Sequence, residues 1–243
     1  MSTEADTLKA IYGRLSKRLA RLSFAPPVAC VYDPLTYARA SHEAYLERFG
    51  RGRGRILFLG MNPGPFGMVQ TGVPFGEVAA VRDWMGLSAP IQRPAHEHPK
   101  RPIEGFSTTR SEVSGRRLWG FFAERFGSAD AFFAQCFVAN YCPLAFLEES
   151  GANRTPDKLP ASEREPLYAA CDEALAEVIA ALGPARILGV GDFARKRAEL
   201  VVKHAGLEVP VGSILHPSPA SPRANRGWAE AALAELEAQG LRW

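Results

Sequence analysis

The chain has 243 residues, a formal net charge of +3 and 47% hydrophobic content, enough for one large globular domain or two small ones. No stretch approaches the roughly 18 consecutive apolar residues of a membrane helix, and the acidic, amphipathic opening MSTEADTLKAIYGRL does not read as a secretion signal. A pI near 8.7 is compatible with a DNA partner without requiring one. Cys30, Cys136, Cys142 and Cys171 lie far apart with no C-x-x-C pair. Reduced thiols in a cytoplasmic protein are therefore expected, with neither structural zinc nor a disulfide framework.

Leu8, Ile11, Tyr12, Leu15, Leu19 and Leu22 recur at helical spacing and predict a solvated amphipathic helix over 3–23. Pro26 and Pro27 break the chain, VACVY (28–32) reads as extended, and 37–49 reads as a second helix. RGRGR (51–55) is taken as a solubilising turn rather than a phosphate site. Ile56 to Leu59 then form an apolar run of the kind that fits a strand buried on both faces. Gly60 ends it, and Met61-Asn62-Pro63-Gly64-Pro65 fixes a stiff, non-helical loop at the strand's carboxyl end, where open parallel sheets place their ligands. That loop carries no charge before Glu77 but holds Asn62, Gln70, Thr71, Phe66 and Phe75. A neutral, preorganised loop suits a flat, uncharged ligand such as a base better than a phosphate.

A helix is predicted over 77–85, then a proline-rich loop over 90–102. His96 and His98 lack a third metal ligand, so no metal is expected there. Lys100 and Arg101 are candidate phosphate contacts. Ser111 and Ser114 are each placed to cap the helix carrying Leu118, Trp119, Phe121, Phe122 and Phe126, whose aromatics read as core. A second buried strand, 136–139, ends in Asn140-Tyr141-Cys142-Pro143. Residues 145–160 read as a loop and 162–182 as a long helix stopped by Gly183-Pro184. The third strand is 186–190. Gly189-Val190-Gly191 lacks the third glycine of a dinucleotide fingerprint, and Lys196 is misplaced for a P-loop. The fourth strand, 209–215, runs into His216-Pro217-Ser218-Pro219, and 228–239 reads as the last helix. Four apolar strands alternating with helices predict a three-layer α/β/α fold around a mostly parallel four-stranded sheet. The expected organisation is one domain over 1–243, with 1–50 as its helical N-terminal part.

GMNPGPFGMVQTGVPFG together with HPSPASP resembles the two signature motifs of the single-strand-selective monofunctional uracil-DNA glycosylases. EHPKRP (97–102), SEVSGRRLWGFF (111–122), FVANYCPL (137–144) and RANRGW (223–228) extend the likeness from about Arg55 to the C-terminus. The resemblance implies the same α/β/α fold, no cofactor, and a DNA partner containing uracil or an oxidised pyrimidine. Some other uracil-DNA glycosylases hold an iron–sulfur cluster by four cysteines, and the spacing here does not resemble theirs. A monomer is expected, cytoplasmic in a bacterium and nuclear in a eukaryote.

Asn62, Asn140 and His216 each follow a core strand at one sheet edge, so they are expected to share a pocket with Phe75 as a stacking platform. By resemblance Asn62 orients the attacking water and Asn140 reads the O4 and N3–H edge of uracil, a match for one amide's donor and acceptor. His216, with a backbone N–H near Met61, is expected to stabilise negative charge at uracil O2. Neither motif holds a lysine for a Schiff base, which implies hydrolysis without strand cleavage. At Gly64, other uracil-DNA glycosylases have a tyrosine that fills the space beside C5. The expectation is that ordered water takes that space, which a 5-hydroxymethyl group could displace. Ser218 belongs to the second motif and is expected at the DNA. The family commonly has Arg directly after HPSP, where this chain has Ala220, leaving Arg223 and Asn225 as candidate replacements. Two alternatives stay open: a module that binds single-stranded nucleic acid or free pyrimidine without cutting, and a glycosylase for deaminated purines.

Overall fold

In the computed structural model, which describes residues 3–243, the first helix, α1 (Glu4–Leu19), starts at a capping box. Thr3 Oγ1 accepts from the Asp6 N–H (3.2 Å) while Asp6 Oδ2 accepts from the Thr3 N–H (3.0 Å). Strand β1 (Val28–Tyr32) follows. The helix expected over 37–49 is α3 (Arg39–Phe49), preceded by a single turn, α2 (Pro34–Tyr37), capped by Asp33, with Ala38 out of helical geometry between them. Strand β2 (Ile56–Gly60) leads into a single turn, α4 (Met68–Thr71). Residues 80–84 form a π turn, Met85 N–H reaching back five residues to the Ala80 carbonyl, where an ordinary helix was expected.

Helices α5 (Val113–Phe126) and α6 (Ala129–Gln135) precede strand β3 (Cys136–Asn140). Neither Ser111 nor Ser114 caps α5: Glu112 stands at the cap position without a capping side-chain bond, and its carboxylate turns to another loop. The expected loop over 145–160 instead contains strands β4 (Ala145–Glu148) and β5 (Asn153–Arg154). These join β1 in a small antiparallel sheet of order β1-β4-β5. Phe146 and Leu147 are fully buried, so the segment carries strand-like apolar character that its polar surroundings mask.

Helix α7 (Ala161–Leu182) ends where Gly183 adopts a left-handed φ of 47° and donates to the Ile179 carbonyl (2.8 Å). Strand β6 (Arg186–Val190), helix α8 (Asp192–His204), strand β7 (Val211–Ile214) and helix α9 (Pro222–Ala238), interrupted at Gly227, complete the chain. The main sheet has the order β3-β2-β6-β7, and each of its three pairings is parallel. Helices flank it, giving the expected α/β/α layering. Phe58, Phe122, Phe132 and Trp119 fill the space between the sheet and the α5–α6 pair.

The RGRGR segment is a structural joint rather than a free turn. Arg53 Nη1 donates to the Ala180 carbonyl (3.0 Å), placing a cation at the carboxyl end of α7. Arg55 is buried and Nη1 ties the Phe49 (2.7 Å) and Phe133 (2.9 Å) carbonyls together.

Candidate active site

Parallel pairing sets the site by bringing strand ends into register. Gly60 pairs with Asn140, and Val190 pairs with Ile214, so the loops after β2, β3 and β7 leave from one edge. Two bonds extend the β2–β3 contact beyond the strands, from the Tyr141 N–H to the Gly60 carbonyl and from the Cys142 N–H to the Met61 carbonyl, both 2.9 Å. A cavity of about 660 Å³ opens there. Met61, Asn62, Gly64, Phe75, Asn140, His216 and Ser218 all line it.

Glycine at position 60 makes the corner between Asn140 and Phe75 possible. A Cβ there would lie 2.3 Å from Asn140 Oδ1 and 2.6 Å from Phe75 Cε2, so only a bare backbone lets the amide and the ring meet. Phe75 sits at a positive φ of 53°, a costly conformation for a bulky residue. Its carbonyl accepts from Trp119 Nε1 (3.0 Å) and from the Glu77 N–H (2.7 Å), and Gly115 lets α5 approach it closely. Two residues of α5 and the turn to Glu77 thus fix the Phe75 backbone.

Asn140 Nδ2 donates to Met68 Sδ (3.2 Å), while Oδ1 is buried with no partner among the described residues. An unpaired buried acceptor costs on the order of 1–3 kcal/mol, which an incoming N–H would offset. Asn62 Nδ2 donates to the Leu144 carbonyl (3.3 Å), which leaves its oxygen as the end that can accept from a water. His216 lies on the opposite wall with its ring 6.1 Å from that of Phe75. Burial pushes its pKa down to about 4, so the ring is neutral at physiological pH. A neutral imidazole still donates one ring N–H.

A family model of the uracil DNA glycosylase superfamily matches residues 47–237. The chain belongs to the uracil DNA glycosylase superfamily. It is 50% identical over 228 residues, 94% of its length, to the single-strand selective monofunctional uracil DNA glycosylases of Bos taurus and Mus musculus, covering 84% and 82% of those proteins. The crystal structure of wild-type Pedobacter heparinus SMUG2 superposes with a TM-score of 0.65 over 99% of both chains at 19% identity, a likeness of fold.

Within this superfamily member, the space beside Gly64 is not the water site expected from the sequence. A Cβ on Gly64 would lie 2.5 Å from Glu112 Oε2 and 2.9 Å from Oε1, so a carboxylate already stands there. Glu112 Oε2 accepts from the Phe66 N–H (3.1 Å), and burial raises its pKa. Gln70 is a fastening rather than a reader. Its Nε2 donates to the Pro65 and Pro102 carbonyls, and its Oε1 accepts from the Glu104 and Gly105 N–H groups.

The candidate DNA contacts divide. Arg101 and Arg110 sit over the ring of Phe66, 5.2 and 5.0 Å from its centroid, and Phe66 lines the cavity. Lys100 is exposed nearby. Ser218 and Ala220 reach the rim, where Ser218 Oγ accepts from the Ala220 N–H (3.1 Å). Arg223 and Asn225 do not line the cavity. Arg223 pairs with Glu235 (2.7 Å), and the Asn225 amide accepts from Arg117 Nη2 (3.0 Å) and donates to the Pro219 carbonyl (2.8 Å). Glu112, Asn153, Thr155 and Lys158 line the cavity without having been singled out from the sequence. Asn153 and Lys158 come from the segment read as a plain loop, and Glu112 was hidden by the choice of its serine neighbours as caps. A lone carboxylate between two serines gave no periodic signal.

Proposed function

We propose that the protein removes uracil from DNA by hydrolysing the N-glycosidic bond, leaves an abasic site, and acts on single- and double-stranded substrates. The observation that carries this reading is the buried, unpartnered Oδ1 of Asn140 beside the fixed ring of Phe75. A base slid against that ring presents its edge to the Asn140 amide. Uracil N3–H donates to Oδ1, and uracil O4 accepts from Nδ2 once that group turns from Met68. Cytosine has the opposite pattern at both positions and leaves groups unpaired, at about 1–3 kcal/mol each.

The chemistry follows from neutral groups. Asn62 is too weak a base to deprotonate water, so the glycosidic bond loosens first and the sugar takes on oxocarbenium character. The departing uracil carries negative charge at O2, where a His216 ring N–H and the backbone near Met61 receive it. A water donating to Asn62 Oδ1 then adds to C1′, and the proton it releases neutralises the uracil anion. Extrusion of the base costs a few kcal/mol in duplex and less from single strands. Lys158, exposed at the cavity mouth, and Arg101 and Arg110 beside Phe66 are placed to meet the backbone phosphates.

The reading extends to 5-hydroxymethyluracil, with Gly64 contributing no side chain on the C5 side and the Glu112 carboxylate bounding that space. The protein works as a monomer on damaged DNA, in the cytoplasm of a bacterium or the nucleus of a eukaryote. Incubation with a uracil-containing oligonucleotide, followed by alkali and a gel, tests the reading. Cleavage only after alkali supports it. An intact strand marks a binding module, and cleavage without alkali marks a lyase.

A further inference from the structure

Helix α3 buries a histidine that the reaction outlined above does not use. His42 is almost fully enclosed, with its ring perpendicular to that of Tyr12 and the centroids 4.9 Å apart. Its Nδ1 lies 2.9 Å from the Gly72 carbonyl oxygen. A carbonyl only accepts, so Nδ1 carries the hydrogen and donates it. Nε2 is then a bare nitrogen, buried with no partner among the described residues. An apolar side chain would fill the same space without an unpaired polar atom, so the bond to Gly72 is what a histidine adds here.

Gly72 stands at a junction behind the cavity. It closes α4 with a left-handed φ of 73°, and its N–H donates to the Met68 carbonyl (2.8 Å). A Cβ there would lie 2.9 Å from the Ala38 carbonyl oxygen, so the turn is seated directly on the start of α3. Before it comes Met68, whose sulfur receives the Asn140 amide, and after it comes Phe75. The neighbouring tyrosines bond the same two regions. Tyr37 Oη donates to the Val69 carbonyl (2.6 Å), and Tyr45 Oη to that of Val138 (2.8 Å), two residues before Asn140.

We propose that His42 is a positioning residue for uracil excision, acting through the Gly72 carbonyl to hold Met68 and Phe75 in place against Asn140. This rests on the uracil-excising reading of the site. Met68 and Phe75 belong to one loop and Asn140 to the neighbouring strand end, so their mutual placement depends on what ties that loop to β3. The segment around α3 ties them from behind, Tyr45 on the strand side and Tyr37 and His42 on the loop side. Of these bonds to the loop, the one from His42 falls closest in sequence to Phe75. Without the Nδ1–H donor the buried Gly72 carbonyl loses its partner and must turn to find another. That rotation is passed along Val73 and Pro74 to Phe75, which already holds a costly positive φ.

The test compares wild type, His42→Asn and His42→Leu in single-turnover release of uracil from a single-stranded oligonucleotide, well below their melting temperatures. Asn and Leu are alike in size and leave the same gap where the ring stood, but only Asn can put an N–H where Nδ1 was. The difference between the two variants therefore reads the hydrogen bond and not the lost volume. Release is expected to be about ten- to a hundred-fold slower in His42→Leu and within about three-fold of wild type in His42→Asn. Rates that agree within about three-fold between the two variants overturn the proposal, whatever their melting temperatures. A slower His42→Asn does the same. A variant already unfolded at the assay temperature makes His42 a residue of the fold and overturns it as well. All these results leave the uracil reading standing, whereas wild-type protein that releases no uracil overturns that reading.

Discussion

The loop after β2 and the loop after β7 meet across one cavity, but they are held very differently. In the first, Gln70 alone satisfies four main-chain groups. Tyr37 Oη donates to the Val69 carbonyl (2.6 Å), Thr71 Oγ1 to that of Gly76 (2.9 Å), and Asn153 Nδ2 to that of Pro63 (3.2 Å). The second hangs from β7, an edge strand that is mostly half-exposed. It is tethered by Arg117 Nη1 to the Pro217 and Ser218 carbonyls, at 3.2 and 3.4 Å, by Asn225 Nδ2 to that of Pro219 (2.8 Å), by Trp228 Nε1 to that of Leu215 (2.7 Å), and by the Leu215 N–H to the Glu235 carboxylate (2.5 Å). The difference separates two tasks. Discrimination between bases requires a fixed donor and acceptor, and the first loop supplies Met68 and Phe75 against the Asn140 amide at the end of β3. His216, the proposed charge-stabilising group, sits on the wall that hangs from the edge strand, beside the rim of the cavity.

If that division is right, substitutions on the two walls fail in different ways. His216→Leu should slow single-turnover uracil release by about 10²–10³, while leaving the preference for uracil over cytosine intact. A change in melting temperature with no change in rate would mark His216 as structural. Its lowered pKa has a second consequence, shared with buried His42, whose pKa is also pushed to about 4 by burial. Both bind protons more readily unfolded than folded below their ordinary value of 6.5. Their contribution to stability is therefore full above about pH 6.5 and lost as pH falls toward about 4. His216→Leu should flatten part of that slope in a melting-temperature series.

Asn140→Asp acts on the fixed wall and should change selectivity as well as rate. A carboxylate cannot donate to O4, so uracil release should drop by about ten- to a hundred-fold, the equivalent of one or two unpaired polar groups. Undiminished release would place base reading elsewhere.

These expectations show how much was legible beforehand. Asn62, Asn140 and His216 could be read because each is the first polar residue after an apolar run, and parallel strands put such residues on one edge. Gln70, a polar side chain in the same apolar loop, holds that loop to the 102–105 segment. Position in the chain cannot distinguish a side chain that faces the cavity from one that faces the neighbouring loop. The small β1-β4-β5 sheet was missed because its short strands become apolar faces only when paired with one another across more than 100 residues, Tyr32 opposite Ala145. Arg53 and Arg55 read as surface charge since nothing local reveals the carbonyls they bind.

Gln70→Ala sharpens the contrast from the stability side. It leaves two N–H groups and two carbonyls without partners and should lower unfolding free energy by about 2–4 kcal/mol in a denaturant titration. Ser218→Ala, on the other loop, should change it by less than about 0.5 kcal/mol. Equal effects would dissolve the distinction between the two walls. The smallest change is expected for Arg223→Ala. With its guanidinium paired to Glu235, loss should be within about two-fold on single-stranded and duplex substrates alike. A selective defect on duplex would restore Arg223 as the stand-in for the arginine absent at Ala220.

In the proposed reaction a neutral amide positions the water while other groups hold the base. Asn62→Ala tests it most directly, with single-turnover release and binding to uracil-containing DNA measured on the same preparation. Release is expected to slow by about 10²–10⁴, with affinity within a few-fold of wild type. Release near the wild-type rate, or affinity lost in step with rate, would contradict it.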